Sequence, residues 1–160
     1  MSKNEIYETV VCQIEAVLDG ESDRIAQMAT IACLLSEAFP ERYFWTGFYL
    51  VDPAKHNELV VGPYQGTLGC LRIPFGKGVC GTAAATGETQ VVTDVHAVPN
   101  HIACDSRSNS EIVVPVFDGS GKLIAVFDVD STEFGSFDEV DKEYLEGLMA
   151  RIFRGDTSQQ

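Results

Sequence analysis

The sequence contains no apolar run near the ~18 residues that a transmembrane helix requires. Its first residues, MSKNE, also lack the pattern of a secretory signal peptide. Both absences favour a cytoplasmic protein, in which the five cysteines stay mainly reduced and no structural disulfide framework is expected. Any disulfide in this chain is therefore expected to be transient and catalytic.

Positive charge is also scarce. The chain has 11 lysines and arginines against 24 acidic residues, which gives a net charge of −13. This balance argues against nucleic-acid binding, which needs a basic face, and against anionic membrane surfaces. It suits a cationic, zwitterionic or protein partner.

Helical periodicity occurs at both ends of the chain, and short β-runs fill the middle. Helices are predicted over residues 5–18 and 22–39, with Ser22 as the cap of the second. A last helix is predicted after a capping box that begins at Ser136. Between them, the turn DGSG at residues 118–121 predicts a hairpin. The pattern predicts one α+β domain with a mostly antiparallel sheet.

A cysteine in a polar loop is the feature that most directly suggests chemistry. The segment HIACDSRSNSEIVVP, residues 101–115, places Cys104 between a histidine and an aspartate, whereas free cysteine normally packs as a small buried hydrophobe. Cys104 is therefore predicted to line the mouth of a pocket, with Glu111 on the strand that floors it. The alternative is a structural loop whose cysteine is half buried.

Two further cysteines lie at loops or element ends. Cys70 follows the glycine-rich run GTLG, and Cys80 begins a predicted helix, where the helix dipole is expected to lower the thiol pKa. Cys12 and Cys33 lie within the first two helices and are expected to be core or helix-packing residues. No CxxC pair is present, so a split redox system is favoured, in which one thiol becomes sulfenic acid and another condenses with it.

Two other uses of these residues compete with the redox interpretation. Zinc could be bound by a subset of five candidates, but their spacings lack the paired CxxC or HxxxH arrangement of a structural site. These candidates are Cys70, Cys80, His96, His101 and Cys104. A cysteine protease or amidase would pair Cys104 with His101, yet no supporting signature accompanies them. No metal and no cofactor is predicted.

Acidic residues on the two closing strands form a second candidate feature. Asp128 and Asp130 are two positions apart, so both project from one face of a strand that should pair with the strand carrying Glu111. Facing a pocket, the three acids would bind an ammonium group, or one of them would stay protonated and donate a proton. The alternative is a solvent-exposed face or turn caps. Trp45 and Tyr49 could wall an apolar substrate tail, or simply belong to the core.

Four segments in order closely resemble the free methionine-(R)-sulfoxide reductases, which are stand-alone GAF domains. They are GPYQG (62–66), IPFGKGVCGT (73–82), HIACDSRSNSEIV (101–113) and DVDS (128–131). The likeness covers residues 45–152. The one mild departure is Tyr64, where the family motif has phenylalanine.

The resemblance implies a six-stranded antiparallel sheet with the N- and C-terminal helices on one side, a GAF domain over residues 1–155, a flexible tail (156–160) and a homodimer. It implies reduction of free L-methionine (R)-sulfoxide, with thioredoxin as the reductant. Carried over by position, Cys104 is the nucleophile, Cys70 the resolving cysteine and Cys80 an auxiliary thiol. The remaining site residues would contact substrate: Glu111, Asp128 and Asp130 at the ammonium or sulfoxide oxygen, Trp45 and Tyr49 at the methyl-thio end.

A GAF domain can instead be a sensor that binds a small ligand or responds to redox state without catalysis, and the fold alone does not decide between the two. A sensor needs no pair such as Cys70 and Cys104, and acids in the pocket disfavour an anionic nucleotide. The thiol set therefore favours the reductase.

Overall fold

The protein folds around a six-stranded antiparallel sheet, described here from a computed structural model for residues 1–99, 101 and 104–155. The strand order is β3-β2-β1-β6-β5-β4. The strands are β1 (Trp45–Val51), β2 (Glu58–Gln65), β3 (Arg72–Pro74), β4 (Gln90–Val92), β5 (Ser110–Phe117) and β6 (Leu123–Ser131). The helices are α1 (Lys3–Val17), α2 (Arg24–Ala38), α3 (Gly78–Thr86) and α4 (Glu139–Met149), the last continued by a π-helical turn, Ala150–Arg154. The expected fold class is confirmed.

The two faces of the sheet are covered by different helices. Residues of α1, α2 and α4 form one core with alternate residues of β5 and β6, among them Ile112, Val114, Phe127 and Val129. The positions between them, Val113 and Val126, face the opposite way and pack with α3. The N- and C-terminal helices therefore share one side of the sheet, as expected. The candidate site residues lie on the opposite side, with α3.

The caps of helices α2 and α4 lie one and two residues after the positions predicted from the sequence. Asp23, not Ser22, caps α2, and its side chain accepts the Ala26 amide. Asp138, not Ser136, caps α4, because its carboxylate accepts the Val140 amide. Ser136 is instead a buried partner of Ser131, with 2.7 Å between the two hydroxyl oxygens. Aspartate and serine both satisfy free helix amides, so the sequence leaves this choice open.

Cys12 is exposed, which corrects the expectation that it is a core or helix-packing residue, and Cys33 is only partly buried. The inner face of α1 is set by Tyr7, Val10 and Ile14, and position 12 falls on the outer side of that helix. Both helical cysteines therefore lie away from the α3 side of the sheet.

The hairpin predicted at residues 118–121 joins β5 to β6, closed by a bond from the Gly121 amide to the Asp118 carbonyl oxygen at 3.0 Å. Helix α3 ends at Gly87, whose φ of 69° is the left-handed conformation that glycine adopts readily. None of the helices in the described ranges is long and apolar enough to span a bilayer. The predicted tail, 156–160, and positions 102 and 103 of the 101–115 segment lie outside the described residues.

Candidate functional site

A pocket opens on the α3 side of the sheet and gathers every predicted site residue except Cys70. Its walls and floor include Trp45, Tyr49, Cys80, His101, Cys104, Glu111, Asp128 and Asp130. Strand pairing explains this convergence, because Glu111 on β5 lies opposite Asp130 on β6, and Asp130 lies opposite Trp45 on β1. The residues thus come from three adjacent strands, from the start of helix α3 and from the loops above the sheet.

Cys70 is joined to the pocket by a disulfide with Cys104, across 5.6 Å between their Cα atoms. The bond ties the loop between β2 and β3 to the loop before β5. Gly69 allows the first loop to lie close, since a Cβ there would come 2.9 Å from Cζ2 of Trp45 and 3.2 Å from the Tyr49 hydroxyl. Cys104 itself is exposed, as predicted for a thiol at a pocket mouth.

A chain of hydrogen bonds also holds the two cysteine loops together. The Thr67 hydroxyl donates to Oδ2 of Asp105 at 2.9 Å, and Nε1 of Trp45 donates to the Thr67 carbonyl at 2.9 Å. Arg107 donates to both oxygens of Asp105, and its guanidinium holds the pKa of that carboxyl well below its usual range. We call this Trp45–Thr67–Asp105 connection the loop clasp. No sequence pattern had indicated it.

The three acids form a buried cluster. Glu111 is 5% exposed and Asp128 is 4% exposed, while Asp130 is partly buried. Burial raises the pKa of each carboxyl well above its ordinary value, and repulsion between the acids raises it further. The prediction that Asp128 and Asp130 share a pocket face is confirmed, and the alternative of a solvent-exposed face is wrong. Such a cluster holds protons more tightly than isolated carboxyls do, and it presents buried acidic oxygens to a cation that enters the pocket.

The pKa of the Cys80 thiol is raised, whereas the sequence predicted that it would be lowered. Although Cys80 lies at the start of α3, burial raises its thiol pKa well above the usual value, and Asp128, Glu111 and Asp130 add to that rise. The thiol is 4% exposed, with Sγ 4.0 Å from Oε2 of Glu111. Loss of hydration and three nearby carboxyls outweigh the helix dipole here. Cys80 is therefore a neutral thiol in the pocket wall.

The five-residue zinc set considered from the sequence is not assembled. Cys70 and Cys104 are bonded to each other, and the ring of His96 instead bonds Oδ1 of Asn109 at 2.9 Å. His101 lies beside the acids, with Nε2 3.8 Å from Oε1 of Glu111. Burial lowers the pKa of His101, so this ring is neutral at pH 7.

Trp45 and Tyr49 form an aromatic wall of the pocket, and Tyr64 stacks on Trp45 without being one of the lining residues. The Trp45 ring lies between those of Tyr49 and Tyr64, with ring centroids 5.5 Å and 5.0 Å away. Tyr64 occupies the position where the family motif has phenylalanine, and its ring provides the same stacking surface. The wall is apolar and stands beside the acidic floor, so the pocket offers surfaces of two kinds to one small molecule.

Comparisons with known proteins agree with this geometry. Residues 25–152 match the GAF domain family. A free methionine-R-sulfoxide reductase of Saccharomyces cerevisiae is 42% identical over 155 residues, which cover 95% of this chain and 86% of that protein. The protein of the same name from Escherichia coli is 42% identical over 152 residues, covering 95% and 89%. A solved free methionine-R-sulfoxide reductase of Neisseria meningitidis, in complex with its substrate, superposes with a TM-score of 0.90 at 51% identity, covering 97% and 90%.

The fold and the pocket define a GAF domain with a disulfide-bonded cysteine pair at the pocket mouth. Two free methionine-R-sulfoxide reductases are more than 40% identical to this chain over nearly its whole length. The chain belongs to the free methionine-R-sulfoxide reductase family of GAF domains.

Proposed function

We propose that this protein reduces free L-methionine (R)-sulfoxide to L-methionine. The observation that carries the proposal is the Cys70–Cys104 disulfide at the mouth of a pocket floored by Glu111, Asp128 and Asp130. A two-electron reduction needs two thiols that can pair, and a zwitterionic amino acid needs a counter-charge for its ammonium group. Relatives named for this activity, and a solved relative in complex with its substrate, support the same conclusion over a sensor without catalysis.

Substrate binding follows from the two surfaces of the pocket. The ammonium group lies against the acidic cluster, where burial strengthens each charge-assisted hydrogen bond. The methyl-thio end packs against Trp45 and Tyr49, which present stacked aromatic faces. This orientation presents the sulfoxide to Cys104, which borders the same pocket. A free amino acid fits because the cluster needs an unblocked ammonium group.

The reaction then proceeds in two balanced steps. The Cys104 thiolate attacks the sulfoxide sulfur and bonds to it, while an acid of the cluster protonates the oxygen. The oxygen then passes to the Cys104 sulfur as the S–S bond and the S–O bond to the substrate break, which releases methionine and leaves Cys104 as a sulfenic acid. The Cys70 thiol attacks the sulfenic sulfur, which forms the disulfide and releases one water. Overall, one sulfoxide and two thiols yield one thioether, one disulfide and one water. Cys80, a neutral thiol, borders the substrate and is an auxiliary residue in this scheme.

Turnover requires a reductant that opens the disulfide again. In this proposal the reductant is thioredoxin, which attacks through its own dithiol by thiol–disulfide exchange. The acting unit is a single GAF domain, residues 1–155, in a homodimer in the cytoplasm. The reductant, the homodimer and the domain limits rest on the family resemblance.

Steady-state turnover with separated substrates tests the proposal. We expect activity with free methionine (R)-sulfoxide and none with the free (S) form, using dithiothreitol and then thioredoxin as reductant. A peptide-bound (R)-sulfoxide, whose amino group is blocked, is expected to react at least ~100-fold more slowly, because the buried acids are left without their counter-charge. Reduced, folded protein that turns over none of these substrates would contradict the proposed function.

The loop clasp is expected to speed disulfide formation, because it holds the Cys70 and Cys104 loops together before the bond exists. Thr67→Val removes the hydroxyl bound to Asp105 and should slow that step about tenfold, roughly the value of one hydrogen bond. The rate of first methionine release should stay unchanged. Rapid-quench trapping of the sulfenic acid with dimedone would show its accumulation.

Thr67→Ser retains the hydroxyl and should restore the rate. Thr9→Val is the matched control, since Thr9 bonds a backbone carbonyl on the distant helix α1. Equal rates of disulfide formation in the wild type and in Thr67→Val would show that the clasp has no role in this step.

A further inference from the structure

Three buried side chains in the pocket form a group with metal-binding chemistry. Among the described residues, Cys80, Glu111 and Asp128 place their ligand atoms, a thiol sulfur and two carboxylate oxygens, within 4.8 Å of one another. We call them the Cys80 group. The Cys80 group shares only Cys80 with the zinc set that was considered from the sequence. None of its three residues takes part in the disulfide.

One atom of the group lacks a protein partner. Oδ1 of Asp128 is buried and has no hydrogen-bond partner in the described part of the chain, although the residue is only 4% exposed. A buried acceptor of this kind is costly unless a ligand satisfies it. The substrate ammonium would do so in the catalytic cycle, and a metal cation would do so equally well in its absence.

The donor set selects a particular type of cation. One thiolate with two carboxylates suits Zn²⁺, whereas Mg²⁺ and Ca²⁺ take oxygen ligands only. Ligand atoms around a tetrahedral zinc lie roughly 3.5 Å apart, and Sγ of Cys80 already lies 4.0 Å from Oε2 of Glu111, so only a small closure of the side chains is needed.

We propose that the Cys80 group binds one Zn²⁺ ion in the space of the substrate ammonium, so that zinc is a reversible competitive inhibitor. Coordination converts the Cys80 thiol and the carboxyls to their charged forms, and their protons go to solvent. The bound cation removes the repulsion between the acids. Zinc is therefore no cofactor of the reaction, and the inhibition, unlike the binding, rests on the proposed function.

Cadmium titration of the oxidised protein tests the site directly. With Cys70 and Cys104 held in the disulfide, Cd²⁺ is expected to give an ultraviolet thiolate-to-metal charge-transfer band that saturates at one equivalent. Zn²⁺ and free methionine sulfoxide should each displace the band. Cys80→Ser should abolish it, whereas Cys12→Ser and Cys33→Ser, which alter the two thiols of the distant helices, should leave it unchanged.

A band that persists in Cys80→Ser, or one that disappears in Cys12→Ser or Cys33→Ser, would overturn the proposal, as would the absence of any band. If Cys80→Ser does not fold, Asp128→Asn provides the second test, because it keeps the thiol and should weaken Cd²⁺ binding at least ~10-fold. Unchanged affinity in that variant would contradict the site. The titration requires no turnover, so a protein without reductase activity could still bind the metal and the two failures remain distinguishable.

Discussion

Replacing Cys104 by serine is expected to reduce turnover of free methionine (R)-sulfoxide by at least ~1,000-fold, since loss of a nucleophile removes most of an enzyme's rate enhancement. A serine hydroxyl is a far weaker nucleophile at neutral pH and cannot accept the oxygen as a sulfenic acid. Cys104 is exposed at the pocket mouth, so the substitution leaves the core intact. The measurement is steady-state turnover with dithiothreitol, which bypasses any effect on a protein reductant.

Two matched variants separate the role of Cys104 from a general need for thiols. Cys70→Ser should release one methionine per chain and then stop with thioredoxin, because the sulfenic acid forms but no disulfide resolves it. Cys33→Ser, on helix α2, should retain wild-type turnover. Wild-type rates in Cys104→Ser would contradict the assignment of the nucleophile.

Asp128→Asn is expected to lower kcat/KM for the free (R)-sulfoxide by about 100-fold, because truncating a buried charge pair costs several kcal/mol. The carboxyl is 4% exposed and its Oδ1 has no partner among the described residues, so the ammonium group would be its principal ligand. Binding of substrate to the oxidised protein, followed by calorimetry, should weaken in parallel. An unchanged kcat/KM would remove Asp128 from the substrate site.

The same substitution should stabilise the fold at neutral and alkaline pH. Burial, and then repulsion from Glu111, raises the pKa of Asp128 in the folded protein well above its unfolded value near ~3.9. The folded state therefore binds a proton at Asp128 more tightly than the unfolded state does, and this protonation stabilises the fold. The stabilisation is complete below the unfolded pKa of Asp128 and is lost as pH rises through its folded pKa. Asparagine does not ionise, so the Tm of Asp128→Asn should exceed that of the wild type increasingly as pH rises from about 5 to 9.

Asp118→Asn is the control of opposite sign. The Asp118 carboxylate accepts bonds from Ser120 and from the Lys122 amide in the exposed hairpin turn, which lowers its pKa. The ionised Asp118 carboxylate stabilises the fold above its unfolded pKa, and this stabilisation is lost as pH falls through its folded pKa. The Tm of Asp118→Asn should therefore be below that of the wild type at neutral pH, and the two Tm values should converge in acid. A Tm difference for Asp128→Asn that shrinks with rising pH would contradict the burial of an ionisable group at this position.

The sequence was sufficient to predict which residues meet, since motif order and strand alternation place Glu111, Asp128 and Asp130 on one face. It was not sufficient to predict the state of Cys80. A helix start predicts a lowered thiol pKa, but the dominant effect is burial beside three carboxyls, which depends on the packing of distant segments. The loop clasp could not be predicted for a similar reason. Thr67 and Asp105 are 38 positions apart, and their hydrogen bond depends on the geometry of two loops.

The most direct test of the account is a single turnover without external reductant. Fully reduced protein is mixed with one equivalent of free methionine (R)-sulfoxide, and methionine and disulfide-linked peptides are quantified by mass spectrometry. The account predicts one methionine and one Cys70–Cys104 disulfide per chain, in step with each other. Methionine without that disulfide, a disulfide between another cysteine pair, or no methionine from folded protein would contradict it.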